Sequence, residues 1–235
     1  MSFIQYKDLS VMPYKEALDF QLLHFDSIKN VKIKNRDLNE NTPTPNYFFF
    51  VEHPHVYTMG KNGSESNVLL DASQLENKKI EYYRTNRGGD STYHGSGQIV
   101  GYPILDLDNF FTDIHKYMRN LEEVIIKTIA EYGLKGQRSK GETGVWLDVG
   151  TPKARKICAM GVHTSRWVTM HGFALNVNTD LSFYKGIIPC GITDKGVTSL
   201  ADELEKEIDE NKVKKTILKH FSEVFKTEFV KYSNL

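Results

Sequence analysis

Cysteine is nearly missing from this chain: Cys158 and Cys190 are the only two among 235 residues. So small a supply excludes a disulfide framework as the source of stability. Charge of one sign is missing too. Thirty Lys and Arg balance thirty Asp and Glu, which removes the global electrostatic case for nucleic-acid binding and leaves only local patches to consider. No apolar run reaches the ~18 residues of a membrane span, and the first residues lack the charged and then apolar pattern of a secretory signal. A cytoplasmic protein with reduced thiols is expected. No internal repeat, low-complexity tract or linker divides the chain, so residues 1–235 read as a single domain.

What remains is a chain with enough apolar residues, 40% against 26% charged, to build one real core. Residues 13–29 carry apolar positions at helical spacing, with Pro13 in the first turn. Residues 32–45 are polar, end in Thr-Pro-Thr-Pro, and read as a loop. Tyr47 to Val51 (YFFFV) reads as a strand covered on both faces. Strands follow at 56–59 and 80–84, and residues 87–98 read as a glycine-rich loop. A strand at 99–107 contains Pro103, which calls for a bulge or an edge there. Asp113 caps a helix to residue 132, closed by Gly133. Short strand signals at 145–149, 156–163, 167–170 and 172–177 come with little helix between them, so antiparallel hairpins are expected. Helices at 197–207, capped by Thr198 or Ser199, and at 212–229 close the chain. The fold class is α+β (mixed α/β), with helices on a mixed, largely antiparallel sheet.

Three stretches could carry chemistry. Residues 87–98 (RGGDSTYHGSGQ) put four glycines among Arg, Thr, Tyr, His and Gln. Glycine lets backbone N–H groups approach a ligand closely, and the interleaved side chains are donors. The string is neither GxGxxG after a strand nor a Walker A motif. Cys190 stands between Pro189 and Gly191, the context of a turn that presents a thiol to a cleft. Lys153, Arg155 and Lys156 form a basic cluster that reads as a solvated face or as a docking patch for an acidic partner. Lys156 begins a segment of strand character. Beside Cys190, its ammonium would favour thiolate and lower the thiol pKa from ~8.5. His53, His55, His94, His163 and His171, with the two cysteines, match neither HExxH nor CxxC spacing, so no metal is expected.

In order and rough spacing, residues 87–98, 156–161 (KICAMG), 171–180 (HGFALNVNTD) and 189–191 (PCG) resemble the octanoyl-(acyl-carrier-protein):protein octanoyltransferases, or lipoyl(octanoyl) transferases. Residues 53–60 (HPHVYTMG) resemble that family's stretch before the glycine-rich loop. The resemblance implies a fold related to the catalytic domains of biotin and lipoate protein ligases, and ping-pong transfer of an octanoyl or lipoyl group. It puts the nucleophile on Cys190 and the lysine that lowers its pKa on Lys156. It puts substrate contacts on Arg87, Gly88, Gly89, Asp90, Ser91, Thr92, Tyr93 and His94, on Ala159, Met160 and Gly161, and on Gly172, Phe173 and Ala174. It implies no cofactor. The donor would be octanoyl-acyl-carrier protein; the acceptors would be lipoyl domains of 2-oxoacid dehydrogenases and the glycine cleavage H protein. No nucleic acid or membrane takes part. Both protein partners are typically acidic, which makes Lys153 and Arg155 a docking edge.

Two positions depart from the family pattern. His94-Gly95-Ser96-Gly97 stands where His-Gly-Pro-Gly is usual, which loosens the backbone but removes no chemical group. Cys158 replaces a small apolar residue and reads as packing. The expected route is attack of the Cys190 thiolate on the donor thioester, oxyanion binding by backbone N–H groups near the nucleophile or in 159–161, a proton from Lys156 to the leaving thiol, and attack of an acceptor lysine on octanoyl-Cys190. Tyr93, Met160, Phe173 and Val177 are candidate linings of an acyl tunnel. An ATP-dependent lipoate–protein ligase would share the fold without needing Cys190; a non-catalytic lipoate or carrier-protein binding module is the remaining alternative.

Overall fold

The structure, a computed structural model, describes residues 2–189 and 195–233. The aromatic run becomes β2 (Tyr47–Glu52), and each side chain from Tyr47 to Val51 is buried. Pleating sends Phe48 and Phe50 to one face and Tyr47, Phe49 and Val51 to the other. Phe48 and Phe50 join Tyr117, Leu121 and Ile125 of α3 (Ile114–Ala130) and Val213, Ile217 and Phe221 of α5 (Glu210–Phe225) in one core. Tyr47, Phe49 and Val51 join Ala17, Phe25 and Ile28 of α1 (Tyr14–Leu38) in another. The strand is apolar throughout because it is the middle of three layers.

The main sheet takes β1 (Ser2–Val11), β2, β6 (Gln98–Ile104), β7 (Gln137–Ser139), β8 (Glu142–Leu147), β9 (Arg155–Ser165), β10 (Val168–Asn176), β11 (Gly196–Val197) and β12 (Thr227–Lys231). Among the described residues its order is β12-β1-β2-β6-β10-β9-β8-β7, with β11 beside β9. Strand β1 runs parallel to β2 and β12, whereas β2–β6, β6–β10, β10–β9, β9–β8 and β8–β7 are antiparallel. A small sheet, β4-β3-β5, is made by β3 (Val56–Met59), β4 (Glu81–Arg84) and β5 (Ser91–His94), with the short helix α2 (Ala72–Asn77) between β3 and β4. The mixed, largely antiparallel sheet and the α+β class are as expected, as are the caps Asp113, on Lys116 N–H, and Ser199, on Asp202 N–H of α4 (Leu200–Leu204).

Five local expectations need correction. Helix α1 does not stop near residue 29. It continues to Leu38, because Lys32 reaches Asp108 at 2.7 Å and also pairs with the buried Asp106. The closing helix ends at Phe225; Lys226 adopts φ 54 and the chain turns into β12. Residues 87–98 are not loop throughout, since they contain β5. The segments 167–170 and 172–177 are parts of one strand, β10. Pro103 sits neither on an edge strand nor in a bulge of the β2–β6 ladder. Regular β6–β10 pairing instead stops at Gly101–Phe173, and His171 turns to φ 59, so no partner is asked of the missing N–H.

Candidate active site

Arg87 is the hinge pin between the two sheets. Its buried guanidinium donates from Nη2 to the Thr58 carbonyl at 2.7 Å and to Thr58 Oγ1 at 2.9 Å on β3. The loop behind it is gripped from both sides: Gly88 N–H donates to Val162 O on β9 (2.8 Å), Lys61 N–H to Arg87 O (2.9 Å) and Asn62 N–H to Gly89 O (3.1 Å). Only glycine opposite permits this. A Cβ on Gly60 would come within 2.3 Å of Gly89 O, and one on Gly161 within 2.7 Å of Gly88 O.

A narrow, mostly apolar cavity of about 50 Å³ opens beside this grip. Arg87, Gly89, Asp90, Ser91, Thr92 and His94 line it from the loop and β5, Ala159, Met160 and Gly161 from β9, and Gly172, Phe173 and Ala174 from β10. These are the sequence candidates except Gly88 and Tyr93. Gly88 lines a neighbouring cavity instead. Tyr93 faces away, because β5 is a strand and its pleat sends Thr92 and His94 inward and Tyr93 outward. There it packs with Tyr57, Tyr184 and Ile187. Val177, an expected tunnel wall, belongs to the core under α3 and α5. Sequence reasoning missed Tyr14, Val100 and Tyr102, and weighed His171 only as a metal ligand; all four line the cavity. Val100 and Tyr102 alternate along β6, so that signal was present once the inward face was known. Nothing local marks Tyr14.

The polar end of this cavity is a cluster of neutral imidazoles. His94 Nδ1 lies 2.8 Å from Gln98 Oε1, whose own Nε2 donates to Tyr93 O and to Asn176 Oδ1. The His94 proton therefore sits on Nδ1. Burial first, then the neighbouring His53, pushes the His94 pKa down to about 3. His53 donates to Met12 O (2.8 Å), accepts from Tyr102 OH (2.7 Å), and is lowered by burial to about 4. His171 lies 2.8 Å from Asn86 Oδ1 and is lowered to about 3 by burial and by Arg87. The Tyr14 ring stacks on His94, and burial pushes its phenol up to about 12. Among the described residues, no group of three or more His, Cys, Asp or Glu is placed to hold a metal ion.

A second, larger cavity adjoins the first. The two share Gly89, Asp90, Met160 and Gly161, and the second adds Lys156, Glu142, Thr143, Met118, Asn62, Gly88 and Val162. Lys156 is buried, with its ammonium 4.6 Å from the centre of the Trp146 ring. Lys195 approaches the same ring at 5.4 Å and ion-pairs with Glu142. Burial would raise the Glu142 carboxyl, but bonds from Lys195 and Ser139 and the nearby Lys156 charge hold it below its ordinary value. A bonded path joins the two cavities: Gln98 to Asn176, Asn176 Nδ2 to Thr198 O (3.0 Å), and Thr198 N–H to Lys156 O (3.0 Å).

Cys190, the expected nucleophile, lies outside the described residues. The chain on either side of it is anchored. Ile188 O accepts from Ser91 Oγ at 2.7 Å and Ile188 N–H donates to Asn67 O, while Gly196 and Val197 pair with Arg155 and Lys156. Cys158 is a free, fully buried thiol whose pKa burial drives far up, so it is packing. Arg155 is not a spare cation for a partner: its guanidinium is bound to Glu203 at 2.5 Å and to Asp148. Of the expected docking edge, Lys153 stays exposed.

A family model described as the lipoyl protein ligase A/B catalytic domain matches residues 26–222. The octanoyltransferase of Christiangramia forsetii is 61% identical over 226 residues, covering 96% of this chain and 97% of that protein. The octanoyltransferase of Flavobacterium johnsoniae is 62% identical over 228 residues, covering 97% and 98%. Among solved structures, a bipartite lipoate protein ligase from Thermoplasma acidophilum matches with a TM-score of 0.71 at 16% identity, covering 100% of this chain and 87% of that one. The Aquifex aeolicus biotin protein ligase in complex with biotin and ATP matches at 0.53 and 14%, covering 94% and 70%. At those identities the two structures speak to fold alone.

Proposed function

We propose, from the premise that this chain belongs to the lipoyl protein ligase A/B catalytic domain family and is an octanoyltransferase of protein lipoylation, that it works through an octanoyl-Cys190 intermediate with Lys156 as proton partner. Residues 1–235 act as one catalytic domain. The observation that carries this reading is the junction of the two cavities, where an acyl pocket meets a buried lysine across Met160 and Gly161. The anchored flanks of Cys190, on Ser91 upstream and beside Lys156 downstream, support it.

In the first half-reaction the Cys190 thiolate attacks the thioester carbonyl of octanoyl-carrier protein. A new C–S bond forms and the oxygen takes the charge. Pairing of β8 with β9 ends at Cys158, which leaves one edge of β9 at 159–161 toward the junction and makes its backbone N–H groups oxyanion donors. The old C–S bond breaks, and the departing thiolate takes a proton from the Lys156 ammonium. In the second half-reaction a lysine amine of a lipoyl domain attacks octanoyl-Cys190. The C–N bond forms, Cys190 leaves as thiolate, and the amine proton returns to Lys156. An amide replaces a thioester, so ATP has no part. The acyl tail contributes ~0.8 kcal/mol per buried CH₂ against Phe173, Val100 and Met160. The acceptors are lipoyl domains of 2-oxoacid dehydrogenases and the glycine cleavage H protein. A reducing, cytoplasmic setting suits the free Cys158.

The test is intact-protein mass after incubation with octanoyl-carrier protein and no acceptor. A gain of one octanoyl group, removed by hydroxylamine and absent from Cys190→Ser, is expected. Turnover without an adduct, or an adduct that survives in Cys190→Ser, overturns the intermediate. For Lys156→Ala, the pH profile of iodoacetamide labelling should move to higher pH as the thiol loses its neighbouring cation; an unmoved profile removes Lys156 from the role.

A further inference from the structure

We infer that Trp146 is a positioning residue for the reaction: the face of its ring holds the Lys156 ammonium in place without taking its proton. The inference rests on the Lys156 reading above and deepens it. Lys156 Nζ lies 4.6 Å from the centre of the Trp146 ring, and both side chains are buried. Burial strips water from an ammonium, and that loss has to be offset. A carboxylate would offset it by drawing the proton into an ion pair. An aromatic face attracts the charge through its quadrupole and offers no basic lone pair.

The backbone is built to aim this ring. Regular pairing onward from Val145–Cys158 would set Trp146 opposite Ile157. A register shift after Val145 skips Ile157 and sets Trp146 opposite Lys156 instead, and residues opposite each other share a face of the sheet. Gly144, just before the shift, has φ 123, and a Cβ there would come within 2.5 Å of Cys158 O. Its N–H donates to Glu122 Oε1 at 3.1 Å. The wholly buried Glu122 carboxylate is held in turn by Arg119 at 2.6 Å and Arg138 at 3.0 Å, so the entry to β8 is tied to α3. The indole N–H of Trp146 is buried and makes no hydrogen bond among the described residues. A buried donor left unsatisfied costs stability, and a smaller apolar side chain would avoid that cost, which marks the ring as kept for its face. Lys195 approaches the same ring at 5.4 Å, but Glu142 answers its charge.

The experiment weakens the face of the ring while keeping its shape. The chain has two tryptophans, so Trp167→Phe, at an exposed turn, leaves Trp146 as the single site for 5-fluoro- and 5,7-difluorotryptophan. Single-turnover acylation by octanoyl-carrier protein is followed by intact mass. Its rate should fall stepwise with fluorine, by about tenfold across the series, while melting temperature holds. Trp146→Phe should keep part of the rate and Trp146→Leu should lose most of it. A rate indifferent to fluorine, or one that falls only together with melting temperature, overturns the inference. The series repeated in Lys195→Ala should keep its slope; a slope that vanishes there assigns the ring to Lys195 and also overturns it. A Lys156→Ala enzyme that acylates as fast as its parent would sink the Lys156 reading instead.

Discussion

Three imidazoles beside a buried guanidinium make this site sensitive to acid. His53, His94 and His171 have folded pKa values of about 4, 3 and 3 against an ordinary 6.5. All are neutral in the native state, and the unfolded chain binds their protons first. Their contribution to stability is complete above pH 6.5 and is lost as pH falls toward 4 and then 3, at about 1.4 kcal/mol per pH unit for each histidine. Melting temperature should be flat from pH 8 to 6.5 and drop steeply below. In His53→Gln the drop should be shallower by one proton's worth. A second prediction concerns Glu142, which holds Lys195 next to Lys156. Glu142→Gln should reduce turnover severalfold with little change in melting temperature, because partly exposed pairs contribute only ~0–1 kcal/mol. Glu142→Asp should recover part of the loss; unchanged turnover in Glu142→Gln would deny the pair any role.

Among the elements, those with a strong period were legible and those without one were not. Helix α3 carries a full apolar stripe with an Asp cap, and β2 an unbroken aromatic run, so both were plain in the sequence. Strand β1 has only Ile4 fully buried along its length, and a half-exposed strand leaves no alternation to read. Strand β12 hid behind the stripe of α5, since Phe229 keeps helical spacing with Phe225 and Phe221. The resemblance puts Tyr93 at the ligand, but the four-residue strand hidden among the glycines of 87–98 turns it the other way. The unseen strand β1 still matters to the core: Ile4 packs with Phe48 under α5. Ile4→Ala should cost ~2–5 kcal/mol of stability, read from denaturant midpoints, and leave kcat unchanged because Ile4 lines neither cavity.

At the scale of the whole molecule, the order of the motifs along the chain already named the family, whereas the two-cavity arrangement was not legible. It depends on how the small sheet is set against β9 and β10, and no spacing in the sequence encodes the distance between separate sheets. The pleat of β5 has a further consequence, which concerns chain length rather than side chains. Thr92 and His94 look into the first cavity while Tyr93 looks into the cluster of Tyr57 and Tyr184. Adding or removing one residue between Gly89 and His94 would exchange these two neighbourhoods at a stroke, placing a phenol in the cavity and polar groups in a dry cluster. Substitutions there can be graded, but insertions and deletions cannot. A scan of single-residue insertions should find no active variant in 89–94, while insertions in the exposed turn at 40–43 pass unnoticed. This stretch can change its letters only while keeping its count.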